Sequence, residues 1–174
     1  RRHIFNPAAL GVALPGLLLD QPATWWVSGV LWLLPLVLVG GLILVRKLRR
    51  FDLVAVFAAV NLLTTLVTSS PADYLNQLQF TVLHTPFFFM AFVMLTEPLT
   101  APQQRFWRVV YGALVGLLAS PNIAIAGYYF TPEVALLAGN VLTLLVSPSG
   151  RLALTLERIE KAADGVFDFV FRPD

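Results

Sequence analysis

Cysteine is absent from this sequence, which excludes a disulfide, a thiolate metal site and a cysteine-ligated iron–sulfur cluster within its 174 residues. Charge is also scarce: charged residues make up 13% of the chain, hydrophobic residues 57%, and the mean hydropathy is +0.76. An ordinary soluble domain carries about twice that share of charge. The composition therefore predicts an integral membrane protein, with lipid as its solvent.

Six apolar segments reach or approach the roughly 20 residues that a helix needs to cross a bilayer. Proline interrupts some of them, because it removes a backbone donor and clashes with the preceding turn. Pro15-Gly16 predicts a broken or tilted first span. We predict an all-α membrane protein with about six transmembrane helices, some proline-broken: Pro7–Leu19, Trp25–Val45, Leu53–Thr68, Phe80–Leu95, Phe106–Ala119 and Glu133–Val146.

The cations indicate how these spans are oriented, since Lys and Arg are retained on the cytoplasmic side during insertion. With six crossings and a cytoplasmic start, all twelve Lys and Arg fall on one side. The predicted outer loops hold only Asp20, Asp73 and Glu133 among charged residues. This pattern predicts a multi-pass protein of the cell inner membrane with both ends cytoplasmic. The net positive charge of the chain is then explained by anchoring to membrane lipid on the cytoplasmic side, and no nucleic-acid partner is required to explain it.

The apolar spans give way to a different pattern after Gly150. Leu152–Ile159 and Val166–Pro173 alternate with period two, and Ala163-Asp164-Gly165 between them is typical of a turn. We therefore divide the chain into a membrane domain, residues 1–150, and the β hairpin of an incomplete cytoplasmic domain, residues 151–174. An amphipathic surface helix over Arg151–Ala163 is the alternative.

The richest polar cluster is Thr96-Glu97-Pro98-Leu99-Thr100-Ala101-Pro102, at the predicted cytoplasmic end of the fourth span. Two prolines expose backbone groups beside two hydroxyls and one carboxylate, which suits a polar ligand at a break between helices. A capped interfacial loop, with Glu97 and Thr100 facing water, is the alternative.

Asn6-Pro7 lies on the same predicted side, so Asn6 could meet the Thr96–Pro102 loop in space. The same pair is an ordinary helix start, with Asn as N-cap and Pro at the first helical position. Both interpretations stay open from the residues alone.

Other polar side chains carry weaker signals. Thr24 precedes Trp25-Trp26 and suits an N-cap of the second span. His3 and His84 are predicted near opposite faces, which argues against a bis-histidine haem, and no metal site is predicted. Several polar residues inside spans could line a cavity or join helices by hydrogen bonds: Asn61, Thr64, Thr65, Asn140 and Thr143.

Two motifs resemble a known family of flavin-carrying membrane subunits. They are His3-Ile-Phe-Asn6-Pro7-Ala-Ala-Leu-Gly and Phe92-Val-Met-Leu-Thr96-Glu97-Pro98-Leu-Thr100-Ala-Pro102. The family includes the D subunit of the Rnf electron-transport complex and the B subunit of the sodium-translocating NADH:quinone reductase. Tyr111-Gly112 and the stretch Glu133–Asn140 extend the similarity through the second half of the chain.

The resemblance implies which residues hold cofactor. A non-covalent flavin, FMN or riboflavin, would be bordered on the cytoplasmic side by Asn6, Pro7, Thr96, Glu97, Pro98 and Thr100. Asn140, at the end of the similar stretch Glu133–Asn140, is also predicted to bind the cofactor. Family members also esterify FMN to the threonine of a serine/threonine-glycine-alanine-threonine motif. Of that motif only Ala23-Thr24 is present, because Gln21-Pro22 occupy its first two positions.

The end of the chain resembles the opening of a ferredoxin–NADP reductase-type FAD domain, at Val166–Pro173. Together the resemblances imply an NAD(P)H-dependent flavin oxidoreductase, in which a cytoplasmic FAD module passes electrons to flavin in the membrane. The acceptor would be quinone or another electron-transfer subunit. Two rival functions are a small-molecule or ion transporter or channel, because broken spans with polar residues also form substrate sites, and a haem-based ferric-reductase-like domain.

Overall fold

The computed structural model describes residues 3–19, 30–125, 127–147, 154–163 and 165–173. It is mostly helical, with two short β hairpins. The elements are α1 Pro7–Leu19, α2 Leu34–Leu48, α3 Phe51–Thr68, α4 Tyr74–His84, α5 Phe87–Phe89, α6 Arg105–Leu118, β1 Ala124–Ile125, β2 Tyr128–Tyr129, α7 Pro132–Val146, β3 Leu154–Ala163 and β4 Val166–Pro173. A 3₁₀ turn at Leu31–Leu33 leads into α2, another at Pro71–Asp73 leads into α4, and α5 continues as a π-helical turn over Met90–Met94.

Two helical stretches of the described chain are long and apolar enough to cross a membrane, Leu31–Leu48 and Phe51–Thr68. A third crossing arises if Pro71–His84 and Phe87–Met94, which meet at 61°, act as one broken span. Helices α1, α6 and α7 are shorter, with 13, 14 and 15 residues. Helical segments thus occur at the six positions where spans are predicted, while six full crossings stay a prediction. The predicted start of the second span, Trp25, lies outside the described residues.

The helix break falls at a different proline from the one predicted. Pro15 lies inside the continuous helix α1, whereas the fourth segment, predicted as one span over Phe80–Leu95, bends between α4 and α5. Thr85 is extended there, with φ −113° and ψ 166°. Its successor Pro86 lacks a backbone donor and disfavours the helical conformation of the residue before it.

The fourth segment ends as a wide π-helical turn that leads into the predicted site loop. The backbone N–H of Leu95 donates to the Met90 carbonyl at 2.9 Å, a five-residue spacing. Tight turns follow, with the N–H groups of Thr100 and Ala101 both donating to the Glu97 carbonyl. The chain therefore reverses within a few residues, which places Thr96–Ala101 against the neighbouring helices.

Small residues allow the backbones of α3 and α6 to approach each other closely. A Cβ atom added at Gly116 would lie 2.6 Å from the Phe57 carbonyl oxygen, and one at Gly112 would lie 2.9 Å from that of Leu53. Close backbone approach of this kind is how helices pack in membranes, where burial of apolar surface drives little association. Large apolar side chains outside the contact are exposed and would face lipid, among them Leu36, Ile43, Val67 and Leu145.

The predicted C-terminal hairpin is confirmed, because β3 and β4 pair antiparallel with Leu154 opposite Pro173 and Ala163 opposite Val166. Gly165 in its turn has φ +78°, a conformation that glycine adopts readily. The alternative of an amphipathic helix is wrong for the described Leu154–Ala163. A second, shorter hairpin joins β1 to β2 ahead of α7 and was not predicted.

Candidate functional site

Asn6 makes hydrogen bonds to two distant parts of the chain while it caps α1. Its Oδ1 accepts from the N–H groups of Ala8 and Ala9 at 3.0 Å, the geometry of an N-cap. Its Nδ2 donates to Oε2 of Glu97 at 2.6 Å, and its own backbone N–H donates to Oδ1 of Asn140 at 2.8 Å. Asn6 therefore does both: it caps α1, and its side chain contacts the Thr96–Pro102 loop.

Glu97 is the acceptor at the centre of this cluster. Its Oε2 accepts from Asn6 and also from the Thr100 hydroxyl at 3.2 Å. Thr100 is buried and Glu97 half-buried, so these bonds lie largely out of water. Thr96 is fully buried but donates back to the Phe92 carbonyl at 2.6 Å, so its hydroxyl stabilises the π-helical turn.

Asn140 extends the network to α6. It is fully buried, and its Nδ2 donates to the hydroxyl of Tyr111, also fully buried, at 3.3 Å. Hydrogen bonds thus join α1, the loop after the π-helical turn, α7 and α6 in one continuous cluster. We call these five residues the polar network: Asn6, Glu97, Thr100, Tyr111 and Asn140.

Arg50 lies close enough to Tyr111 of the polar network to interact with it electrostatically. It is 4% exposed, and the only bond of its guanidinium within the described residues is a long 3.5 Å contact from Nη2 to Oε1 of Gln103. Burial and the neighbouring Arg108 cation lower the pKa of Arg50 below its ordinary value. Gln103 in turn donates to the Pro98 carbonyl at 2.9 Å, which connects Arg50 to the site loop.

The predicted site residues therefore separate into groups. Asn6, Glu97, Thr100 and Asn140 converge in the polar network, and Thr96 lies beside it with its hydroxyl bonded locally. Pro7 and Pro98 are exposed, so their contribution is to the backbone path. Thr24 lies outside the described residues.

Tyr111 and Arg50 are the residues that sequence reasoning missed. Tyr111 belonged only to the similarity around Tyr111-Gly112, and Arg50 was counted among the membrane-anchoring cations of Arg46–Arg50. A tyrosine within an apolar helix is ordinary in a sequence, and nothing in a run of basic residues marks the one that is buried.

Two further cavities lie away from the polar network. An aromatic cleft of about 310 Å³ is formed between the second half of α1 and the segment that enters α7, and is lined by Val12, Ala13, Gly16, Leu17, Tyr128, Tyr129, Phe130, Thr131, Glu133 and Val134. A cavity of about 180 Å³ lies at the α4–α5 bend, where Asn61 and Thr81 are among the lining residues. No three His, Asp or Glu side chains come close enough to hold a metal ion in the described ranges.

Comparison with known proteins identifies the family. No curated protein and no solved structure matches the chain. The model of the NQR2, RnfD, RnfE family matches residues 17–148, more than half of the chain, an interval that includes Thr24, Glu97 and Asn140 but not Asn6. Members of that family are membrane subunits of sodium-translocating NADH:quinone reductase and Rnf electron-transport complexes. The chain is a member of the NQR2, RnfD, RnfE family.

Proposed function

We propose that this domain binds flavin in the membrane and carries electrons between a cytoplasmic NAD(P)H/FAD module and a further acceptor. The observation that carries the proposal is the polar network, which joins Asn6, Glu97, Thr100 and Asn140 from three separate segments. Polar side chains inside a membrane are costly and mark functional sites by default. The family's membership of electron-transport complexes supports the same conclusion.

The hydrogen-bonding capacity of Glu97 fits a flavin. Both bonds to its carboxylate end on Oε2, and within the described residues Oε1 accepts none. Because the side chain is only half-buried, Oε1 can accept an N–H from a ligand edge, such as the imide group of a flavin ring. Flavin supplies the electron-transfer chemistry, while the chain supplies position, hydrogen bonds and electrostatics.

A second flavin position is proposed at Thr24, where the resemblance implies an esterified FMN. Leu19 ends α1 five positions earlier, and Leu17 of the same helix end lines the aromatic cleft. Tyr128, Tyr129 and Phe130 give that cleft the flat aromatic surfaces against which a planar ring stacks. The cleft would therefore accommodate a flavin ring attached at Thr24.

The finer topology belongs to the same proposal. Six crossings with both ends cytoplasmic would put the polar network, the arginines of α2 and α6, and Arg49 and Arg50 between α2 and α3 on the cytoplasmic side of the inner membrane. The hairpin β3–β4 would open the FAD module, which brings electrons from NAD(P)H. Quinone or another subunit of an electron-transport complex would accept them.

The test is the flavin content of the purified full chain, produced in cells with sufficient flavin and measured by absorption near 450 nm and by fluorescence after acid release. We expect Glu97→Gln to lose most of the releasable flavin, because the substitution removes the negative charge of the carboxylate and alters the free acceptor oxygen Oε1. Glu157→Gln, an exposed position of the hairpin, is the matched control. Well-folded wild-type chain without any flavin would refute the proposal.

Covalent attachment at Thr24 is tested separately by fluorescence of a denaturing gel, because only esterified flavin survives denaturation. Thr24→Val should abolish the fluorescent band and Thr68→Val, an exposed threonine of α3, should keep it. A dark wild-type band, with releasable flavin present, would remove the Thr24 site and leave the site at Glu97 standing.

The α4–α5 cavity favours a second candidate function, transport of a small molecule or ion. Asn61 Oδ1 and Thr81 Oγ1 line this cavity, are buried, and have no hydrogen-bond partner in the described structure. Broken helices with free polar groups form the substrate sites of many transporters. Substrate-dependent uptake into proteoliposomes by flavin-free protein, abolished by Asn61→Leu, would establish this alternative; no uptake of any tested solute would count against it.

A further inference from the structure

A strongly basic groove opens where α2 ends, α3 begins and α6 begins. We call it the arginine groove. It has a volume of about 690 Å³ and is lined by Arg46, Arg49, Phe51, Asp52, Arg105 and Arg108. Four guanidinium groups therefore surround it with one carboxylate among them.

Asp52 cannot balance these charges. Its Oδ2 already accepts from Arg108 Nη2 at 2.9 Å and lies 3.8 Å from Arg105 Nε. Among the described residues, no carboxylate lies within ion-pair distance of Arg46 or Arg49. The groove thus keeps an excess of positive charge that the described residues do not neutralise.

Two buried guanidinium nitrogens beside the groove lack hydrogen-bond partners in the described structure, Nε of Arg108 and Nη1 of Arg50. Arg108 lines the groove, and the two cations are close enough to repel each other. Buried polar atoms are almost always satisfied, and a buried unpaired charge is strongly destabilising. An anion in the groove would add negative charge beside Arg108 and near Arg50, which has no carboxylate partner among the described residues.

The backbone turn between α2 and α3 leaves one arginine exposed and buries the next one. Arg49 has φ +54° and ψ +46°, a left-handed conformation that is unfavourable for a residue with a side chain. As a result Arg49 is exposed at the groove while its neighbour Arg50 is buried. The left-handed residue ends α2, where the N–H of Arg50 donates to the Val45 carbonyl at 3.2 Å.

The surroundings of the groove indicate which anion it takes. Phe51 lines it and is 51% exposed, and Phe106, beside Arg105, is 67% exposed. The outward surface of α2 that leads to it is apolar, with Leu42 and Ile43 exposed. A ligand with a phosphoryl head and an apolar tail satisfies both surfaces, and guanidinium forks match phosphate oxygens closely.

We propose that the arginine groove binds the phosphodiester headgroup of an anionic phospholipid, with an acyl chain along Phe51 and the exposed face of α2. Arg46, Arg49 and Arg105 contact the headgroup. Its negative charge offsets the positive charge of Arg108 and of the neighbouring Arg50. The site is independent of any flavin in the domain.

The experiment is native mass spectrometry of the full detergent-solubilised chain, titrated with phosphatidylglycerol and with phosphatidylcholine of identical acyl chains. The double variant Arg46→Gln/Arg105→Gln removes two groove cations. Its control, Lys47→Gln/Arg158→Gln, removes two exposed cations that do not line the groove. We expect one tightly bound phosphatidylglycerol, weakened about tenfold or more in the groove variant and changed less than about twofold in the control.

Three results would overturn the proposal. The first is equal affinity for phosphatidylcholine, which would remove the need for an anionic headgroup. The second is equal weakening in both double variants, which would indicate diffuse surface charge. The third is displacement of the lipid by submillimolar inorganic phosphate or glycerol 1-phosphate, which would assign the groove to a soluble phosphoryl ligand. Circular dichroism of both variants checks that the helices remain folded.

Discussion

The backbone N–H of Asn6 donates a 2.8 Å hydrogen bond to Oδ1 of Asn140, a residue 134 positions later. The bond joins the N-cap of α1 to the middle of α7, and both partners are almost completely buried. Asn140 then reaches α6 through its Nδ2. One amide side chain thus connects three helices, which makes it the most informative position at which to perturb the domain.

Asn140→Ala should lower the free energy of unfolding by about 2 kcal/mol, because a buried N–H of Asn6 and the hydroxyl of Tyr111 each lose a partner. The measurement is the midpoint of thermal denaturation in detergent, followed by circular dichroism. Asn76→Ala, at an exposed position of α4, should leave it within a degree or two. Equal midpoints for both variants would show that the buried bond contributes nothing to stability.

Asn6→Asp separates the two roles of this residue. Aspartate keeps the oxygen that caps α1 but places an oxygen where Nδ2 now faces Glu97 at 2.6 Å. Repulsion between the two carboxylates should destabilise the variant at pH 8, and stability should recover as the pH falls and one of them takes up a proton. The double variant Asn6→Asp/Glu97→Gln should restore stability at pH 8. Failure of this rescue would contradict the pairing.

Gly116→Ala should destabilise the α3–α6 contact by about 1–3 kcal/mol. The new Cβ would lie 2.6 Å from the Phe57 carbonyl oxygen, and a backbone atom cannot move away as a flexible side chain can. Gly40→Ala in α2 is the matched control, since nothing lies within 4 Å of the added atom and alanine is the better helix former. Thermal denaturation should therefore shift in opposite directions. A stabilised Gly116→Ala would refute the close approach.

Asp52→Asn should weaken the junction of α3 and α6 by about 1–2 kcal/mol, because the bond from Arg108 loses its ionised acceptor and the ion pair is removed. The same change removes the one carboxylate of the arginine groove, so phosphatidylglycerol should bind more tightly while the domain becomes less stable. Measuring both quantities on the same preparation provides the check. Loss of lipid affinity would contradict the role given to the groove's charge.

The polar network could be predicted in part. Asn6, Glu97, Thr100 and Asn140 stood out because polar residues next to prolines or inside apolar spans demand a hydrogen-bond partner. Tyr111 and Arg50 did not, since burial decides their role and burial depends on neighbours that are distant in sequence. The break at Thr85-Pro86 was missed for a related reason: Pro15 and Pro86 both interrupt apolar runs, yet α1 accommodates its proline and the fourth segment does not.

By itself the sequence determined that this is a membrane protein, where its helices approximately lie, that a hairpin follows them, and which residues resemble a flavin-carrying family. These properties follow from hydropathy, period and motif, which are local. Only the tertiary structure decided which polar residues bond to one another, which of the arginines is buried, and that Asp52 is shared by two cations. Pairing depends on helix rotation and close approach, and these are set by packing at positions such as Gly112 and Gly116 that carry no chemical signal of their own.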